Sequence, residues 1–118
     1  MEQLTIIIND AAYGTEKPWN ALRLALALTT EALKVDVNIF LMGDAVGIAK
    51  KGQGTPEGYY NLEKMLRDLL GRDVKVSACG TCMNARGLTP GDLVEGVEKG
   101  TMMILAKWVK GSKTVLSF

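Results

Sequence analysis

An α/β fold with a mostly parallel sheet is the architecture that this sequence predicts, and two observations lead to it. Short β-branched runs alternate with stretches of helical periodicity along the chain. The first run, Gln3–Asn9, is continuously apolar at its centre, which is typical of a strand covered on both faces. Because alternating elements need crossover connections, helices are expected on both faces of the sheet, giving three layers.

The first half of the chain predicts one long helix and a second strand. Pro18 can occupy the first turn of a helix, where its missing N–H has no cost, and an apolar stripe extends the predicted helix to Lys34. Val35–Leu41 alternates and is rich in β-branched residues, which predicts a strand. Ala45–Lys50 is expected to form a short helical turn, and Lys51–Gly58 a loop.

The next helix has the clearest periodicity in the chain. Its apolar residues follow the spacing i, i+3, i+4, i+7 and are Leu62, Met65, Leu66 and Leu69. Gly71 is expected to act as its C-terminal cap. Glu63 and Arg67 are placed to form an ion pair of favourable orientation on its surface.

The remaining elements alternate in the same way. Val74–Ala78 predicts a third strand, and a short helical piece follows it and ends at Arg86-Gly87. Leu93–Val97 is a weaker strand candidate, interrupted by Gly96. The last predicted elements are a helix that Thr101 caps and Gly111 stops, and a terminal strand, Thr114–Phe118.

Length and composition restrict the function classes. The 118 residues are expected to form a single domain, residues 1–118. With 14 basic and 13 acidic residues the net charge is +1, which argues against a dedicated nucleic-acid binder. The absence of histidine removes the commonest general base and the commonest metal ligand.

The sequence also argues against membrane insertion and export. The most apolar stretch, Leu22–Leu33, contains Arg23 and Glu31 and is shorter than the roughly 20 residues of a span. The start of the chain has no basic region of the kind that opens a signal peptide. A cytoplasmic protein with reduced thiols is therefore expected, with no membrane contact.

The strongest functional signal is the motif Cys79-Gly80-Thr81-Cys82, directly after a predicted strand. In parallel α/β folds, ligands collect in the loops at the carboxyl ends of strands. A thiolate there is expected to be stabilised by N–H groups of the short helix and by Arg86. Two thiols are too few for a zinc site within one chain, and the helix after Cys82 is too short for a thioredoxin-like motif.

The segment Cys79–Gly87 resembles the cysteine loop of the DsrE/DsrF-like family of sulfur-relay proteins. Other segments resemble further parts of that family: Ala12-Tyr13-Gly14-Thr15, Phe40–Asp44 and the tail from Glu95 to Phe118. The resemblance covers nearly all of the chain. It implies a five-stranded, Rossmann-like sheet and a homo-oligomer, with a trimer or hexamer favoured.

The resemblance also implies site residues. In DsrE and TusD members a persulfide-carrying cysteine lies eight residues before the glycine that closes the loop, and Cys79 holds that position before Gly87. Cys82 is an additional thiol relative to those members. The residues expected to support the sulfur are Arg86, Tyr13, Gly80 and Thr81.

The functional hypothesis is an intracellular sulfur relay. Cys79 would accept sulfane sulfur as a persulfide and pass it from a donor protein to a thiol of an acceptor protein, in a sulfurtransferase-like reaction without metal or cofactor. Cys82 would resolve the persulfide by forming a disulfide. The alternative is a non-catalytic oligomeric module that binds a small ligand or regulatory partner, with the CxxC motif as a redox switch.

Weaker features have simpler interpretations. Lys50–Thr55 superficially resembles a phosphate-binding loop, but a mobile loop is favoured because no strand precedes it. Asp10 and Asp44 follow strands and are expected to cap helices. Met102, Met103 and Ile104 exceed one helix face, which predicts burial on both sides of the helix, as at a subunit interface.

Overall fold

A five-stranded, all-parallel sheet organises the computed structural model, which describes residues 2–118. The strands have the spatial order β4-β3-β2-β1-β5. In chain order the elements are β1 (Gln3–Ile8), α1 (Lys17–Leu28), β2 (Asp36–Leu41), a 3₁₀ segment (Gly43–Ala49), α2 (Leu62–Gly71), β3 (Lys75–Cys79), α3 (Gly80–Ala85), a 3₁₀ turn (Pro90–Asp92), β4 (Glu98–Gly100), α4 (Met102–Gly111) and β5 (Thr114–Ser117).

The topology divides the helices between the two faces and confirms the predicted Rossmann-like α/β class. The chain moves from β1 to β4 in one direction and then returns past β1 to β5. Because such crossovers are right-handed, this reversal puts α4 on the face opposite α1 and α2. β1 and β2 are mostly buried and hold the centre of the core, with Ile6, Ile8, Ile39 and Leu41 at 0% exposure.

The first helix is shorter than predicted, ending at Leu28 rather than at Lys34. The hydroxyl of Thr29 donates a hydrogen bond to the carbonyl oxygen of Ala25 at 2.8 Å, and that of Thr30 bonds Ala27 at 2.8 Å. Side-chain bonding of this kind competes with the helical pattern. Lys34 then takes a φ of 50°, in the left-handed region, and the chain turns into β2.

The second helix has the predicted ion pair but not the predicted cap. Arg67 Nη2 lies 2.8 Å from Glu63 Oε2, as expected. Gly71, however, is the last residue of the helix, and the left-handed residue that reverses the chain is Asp73, with a φ of 64°. Aspartate tolerates this conformation because its short polar side chain bonds locally.

The strand predicted at Leu93–Val97 is wrong, and the fourth strand lies just after it. Gly96 has a φ of +100°, and the N–H of Val97 closes a turn onto the carbonyl of Val94, so this segment does not extend. Strand β4 pairs with β3 so that Gly100 lies opposite Cys79. This pairing brings the end of β4 to the cysteine loop.

No helix within residues 2–118 has both the length and the apolar character needed to span a bilayer. Met1, the first residue of the segment predicted to lack a signal peptide, lies outside the described residues.

Candidate functional site

Both cysteines lie where β3 ends and α3 begins, at the carboxyl edge of the sheet. Cys79 is the last residue of β3 and the N-cap of α3. The N–H of Cys82 donates a hydrogen bond to Sγ of Cys79 at 3.4 Å. Both thiols are free and partly buried. The spacing of the CxxC motif therefore places the two sulfurs on the first turn of one helix.

Cys82 is additionally bound by the neighbouring loop after β2. The N–H of Gly43 donates to Sγ of Cys82 at 3.2 Å. Arg86 donates to the carbonyl oxygen of Cys82 at 3.0 Å and pairs with Asp44 at 2.8 Å. The predicted helix-capping role of Asp44 is wrong, because its carboxylate binds Arg86 and the 3₁₀ segment has no side-chain cap. The ion pair joins the loops that follow β2 and β3.

The two thiols have opposite pKa shifts. Burial raises the pKa of Cys79, and so does the neighbouring Cys82 thiol, whereas the N–H of Cys82 lowers it. The Cys79 thiol lowers the pKa of Cys82, and the Gly43 amide and the Arg86 charge lower it further against the effect of burial. The expectation that Arg86 and local N–H groups would make Cys79 the acidic thiol is therefore wrong. Cys82 is the thiol whose thiolate the structure stabilises.

A cavity of about 550 Å³ opens beside the cysteines. Its apolar wall includes Phe40, Met42 and Met102. The predicted site residues Gly80 and Thr81 line it as well, together with both cysteines. The wall of the cavity therefore presents two thiols, the backbone of the cysteine loop and apolar side chains to a ligand.

Lys99 is a site residue that sequence reasoning missed. It lies in β4, lines the cavity and donates from Nζ to Oδ1 of Asn84 at 3.3 Å. A Cβ on Gly80 would lie 2.8 Å from Cε of Lys99, so the absence of a side chain at Gly80 admits the lysine stem. The misplaced fourth strand concealed this contact, since Lys99 meets the loop only through the pairing of β4 with β3.

Tyr13, also predicted to support the sulfur, is not among the residues that line this cavity. Its hydroxyl donates to Oε1 of Gln53 and accepts from the N–H of Leu62 at 3.0 Å. Its φ of 64° places it at a sharp turn after β1. The hydroxyl joins this turn to the start of α2 and to the loop before it.

The loop Lys50–Thr55, predicted to be mobile, makes several hydrogen bonds in the structure. The N–H groups of Gly52 and Gln53 both donate to one carboxylate oxygen of Glu63, each at 2.9 Å. The Gln53 amide donates to the carbonyl oxygens of Ile48 and Lys50. The two amides that could receive a phosphate are therefore occupied by a carboxylate of the same chain.

Other acidic groups give no metal centre in the described part of the chain. No group of three or more Cys, Asp or Glu side chains is arranged to hold an ion within residues 2–118. Asp10, predicted to cap α1, accepts instead from the hydroxyl of Thr15 at 2.7 Å. The chemistry of the site therefore lies with its two thiols and the groups around them.

The fold and the site define a class: a Rossmann-like α/β protein with a two-thiol loop at the carboxyl edge of its parallel sheet. The DsrE/DsrF-like family profile matches residues 2–118. The chain therefore belongs to the DsrE/DsrF-like family, which is linked to sulfur relay in general.

Individual relatives are similar over the same length. The protein YchN of Escherichia coli strain K12 is 42% identical over 118 residues, which is 100% of both chains. An uncharacterised protein of Methanopyrus kandleri is 41% identical, covering 100% of this chain and 95% of its own. The crystal structure of YchN from E. coli superposes with a TM-score of 0.93 and covers 100% of each chain.

Proposed function

We propose that this protein is a sulfur carrier that holds sulfane sulfur as a persulfide on Cys79 and delivers it to a thiol of a partner protein. The observation that carries the proposal is the pair of thiols on one cavity wall, joined by the hydrogen bond from the Cys82 N–H to Cys79 Sγ and shifted in pKa in opposite directions. The family to which the chain belongs supports the proposal, since it is linked to sulfur relay.

The thiol pair provides a base in a chain without histidine. Cys82 is the more acidic thiol and lies in the first turn of the helix that Cys79 caps, on the same cavity wall, so its thiolate would accept the Cys79 proton. Cys79 would then attack as a thiolate whose higher pKa makes it intrinsically more nucleophilic. In this mechanism Cys82 is the general base and Cys79 the nucleophile.

Loading balances as a thiol exchange. The Cys79 sulfur attacks the outer sulfur of a donor persulfide, a new S–S bond forms, and the S–S bond of the donor breaks with release of its thiolate. The proton of Cys79 moves to Cys82. Delivery reverses these steps: an acceptor thiolate attacks the outer sulfur, and Cys79 leaves as thiolate. No external oxidant or reductant takes part.

A second outcome is open to the loaded state. If the Cys82 thiolate attacks the inner sulfur, a Cys79–Cys82 disulfide forms and hydrosulfide leaves. A thiol reductant would then be needed to restore the pair. Sulfur is relayed if an acceptor thiolate attacks the outer sulfur first. It is released as hydrosulfide if Cys82 attacks the inner sulfur first.

Lys99 is proposed as the cation that favours anionic sulfur species at the cavity. Its ammonium group binds Asn84 beside the cysteine loop, and its stem packs on Gly80. A persulfide anion or a donor of negative charge would be attracted toward this group. Arg86, by contrast, is paired with Asp44 and acts on Cys82.

A homo-oligomer is proposed as the working form. An apolar groove of about 870 Å³ is lined by Val76 of β3 and by Ile104 and Trp108 of α4. Met102 and Met103 are each 64% exposed at the start of the same helix. Apolar surface of this extent is typical of an interface. A trimer or hexamer is the form that the family resemblance favours.

Intact-mass spectrometry after incubation with a small-molecule persulfide donor tests the function. The wild-type chain is expected to gain one sulfur atom, Cys79→Ser none, and Cys82→Ser is expected to load more slowly but keep its sulfur longer. Loading of Cys79→Ser with no loading of Cys82→Ser would reverse the assignment. No loading of any form, with ligand binding that survives Cys79→Ser, would favour the binding-module alternative.

A further inference from the structure

A second cavity lies outside the cysteine site, among stacked aromatic rings. It has a volume of about 620 Å³ and is lined by Glu16, Trp19, Gly58, Tyr59 and Tyr60. It includes no residue of the cysteine cavity. All of its residues come from the start of α1 and from the loop before α2.

The aromatic cluster is continuous and rigidly stacked. Tyr60 is its centre, with ring centroids 4.5 Å from Tyr59, 5.0 Å from Trp19 and 5.6 Å from Tyr13. The cluster gathers every tyrosine of the chain and one of its two tryptophans. Stacked rings of this kind form a wall that loses little conformational freedom on binding a ligand.

Tyr59 presents ring surface that the fold does not use. In the described chain its only ring partner is Tyr60, and 54% of the residue is exposed. Tyrosine combines a rigid ring with a polar hydroxyl, which makes an exposed tyrosine ring a suitable contact surface for a ligand. The outer part of this ring is therefore available to a ligand.

Glu16 is the one charged residue among those that line the cavity. It forms no ion pair with any residue in 2–118. Aromatic faces carry negative charge density and attract cations, with guanidinium groups of arginine as frequent partners. The same wall already binds one guanidinium group, because Cζ of Arg23 lies 4.4 Å from the centroid of the Trp19 ring.

We propose that this aromatic cavity is a binding site for an arginine side chain of a partner protein, with the guanidinium group stacked on Tyr59 and paired with Glu16. The planar group matches both parts of the cavity, since it stacks on rings and also donates to a carboxylate in a fork. The site is independent of the cysteines and requires no sulfur chemistry.

NMR titrations test the site with three probes: N-acetyl-arginine amide, N-acetyl-citrulline amide and tetramethylammonium. N-acetyl-arginine amide is expected to shift the Trp19 indole and the Gly58 amide in a saturable way. The Trp108 indole, in the groove on another part of the molecule, is the internal control and is expected to stay unchanged. N-acetyl-citrulline amide, a neutral isostere, is expected to bind about tenfold more weakly or not at all.

Variants separate the carboxylate from the ring. Glu16→Gln and Tyr59→Ala are each expected to weaken arginine-amide binding by about threefold to tenfold. Glu31→Gln, a control at an exposed carboxylate outside the cavity, is expected to leave it unchanged. Equal shifts with citrulline amide, or binding unaffected by both cavity variants, would overturn the site. Tighter binding of tetramethylammonium than of arginine amide would overturn the guanidinium assignment.

Discussion

The backbone N–H of Gly43 donates a hydrogen bond to Sγ of Cys82 at 3.2 Å, joining the loop after β2 to the cysteine loop after β3. Both sulfurs accept a backbone N–H, but the N–H at Cys79 comes from Cys82 of the same helix, whereas that at Cys82 comes from another loop. After the neighbouring Cys79 thiol, the Gly43 amide is the next largest effect that lowers the pKa of Cys82, the second cysteine of the motif. A residue distant in sequence therefore distinguishes two thiols of the same motif.

The thiol acidities predict an order of alkylation. In Cys79→Ser the remaining Cys82 loses the Cys79 thiol but retains the Gly43 amide and the Arg86 charge, which still favour its thiolate. In Cys82→Ser the remaining Cys79 is still partly buried, so its midpoint should lie above that of Cys82. Iodoacetamide labelling across pH, followed by mass spectrometry, measures both midpoints. The reverse order would contradict the proposed base and nucleophile.

Gly43→Ala should disturb Cys82 through the backbone. Gly43 has a φ of +58°, where an alanine is strained, so the free energy of unfolding should fall by about 1 kcal/mol. The shifted amide should bind Cys82 Sγ less well, and the Cys82 midpoint should rise. Gly47→Ala is the matched control, since no atom lies within 4 Å of its Cβ position. Equal Cys82 labelling midpoints in the two variants would show that the Gly43 amide does not affect the acidity of Cys82.

Lys99→Gln should slow sulfur loading without unfolding the chain. The ammonium group lies at the cysteine cavity, and its removal should lower the loading rate by roughly threefold to tenfold with an anionic donor at low salt. High salt should reduce the difference between the variant and the wild type. Lys64→Gln, at an exposed lysine of α2 that does not line the cysteine cavity, should load at the wild-type rate. Time-resolved intact-mass measurements compare the three proteins.

Gly100→Ala should destabilise the edge of the sheet beside the site. The added Cβ would overlap Oγ of Ser77 and would lie 3.0 Å from Cε2 of Phe40. Overpacking of this kind costs roughly 1–3 kcal/mol. Urea unfolding should show this loss, and Ser77→Ala in the same chain should restore part of it. Gly54→Ala, in open space, should leave the midpoint of unfolding unchanged.

The Glu63 carboxylate predicts a pH dependence of stability. Hydrogen bonds from Arg67 and from the Gln53 amide lower the pKa of Glu63 below its ordinary value of 4.5. A lowered folded-state pKa stabilises the fold above the unfolded value, and that stability is lost as the pH falls through the folded value. The wild type should therefore exceed Glu63→Gln in unfolding free energy at pH 7, with the difference shrinking below about pH 4.5.

Glu31→Gln provides the control for that experiment. Glu31 also forms an ion pair, but its carboxylate is 96% exposed, and such pairs contribute little. Its difference from the wild type should stay near zero between pH 3 and pH 7. A Glu63→Gln difference that is equally flat would show that Glu63 does not stabilise the loop.

The oligomer proposal predicts a mass and a variant that changes it. Multi-angle light scattering at micromolar concentration should give a mass several times the 12.7 kDa of one chain. Met103→Glu and Val109→Glu should lower that mass, since these exposed apolar residues of α4 would then bring charge into the interface. Lys107→Glu on the same helix is the control for charge. Its oligomer mass should equal that of the wild type if loss of apolar surface, rather than added negative charge, lowers the mass. A monomeric wild type would contradict the proposal.

The sequence by itself determined the order of elements, the class of fold and the position of the thiols. The apolar run in β1 and the spacing of the apolar residues in α2 are local signals, so they predicted those elements. The CxxC motif after β3 likewise predicted a site at the carboxyl edge of the sheet, because parallel strands place their following loops together.

Tertiary structure decided which thiol is acidic, where the fourth strand lies and what surrounds the cavity. The acidity of Cys82 depends on Gly43, and the placement of Lys99 depends on the register of β4 against β3. Strand β4 is only three residues long and contains a glycine, so it has no local signal that sequence could reveal. Contacts between residues far apart in the chain follow from sheet register and loop packing, and no local pattern records them.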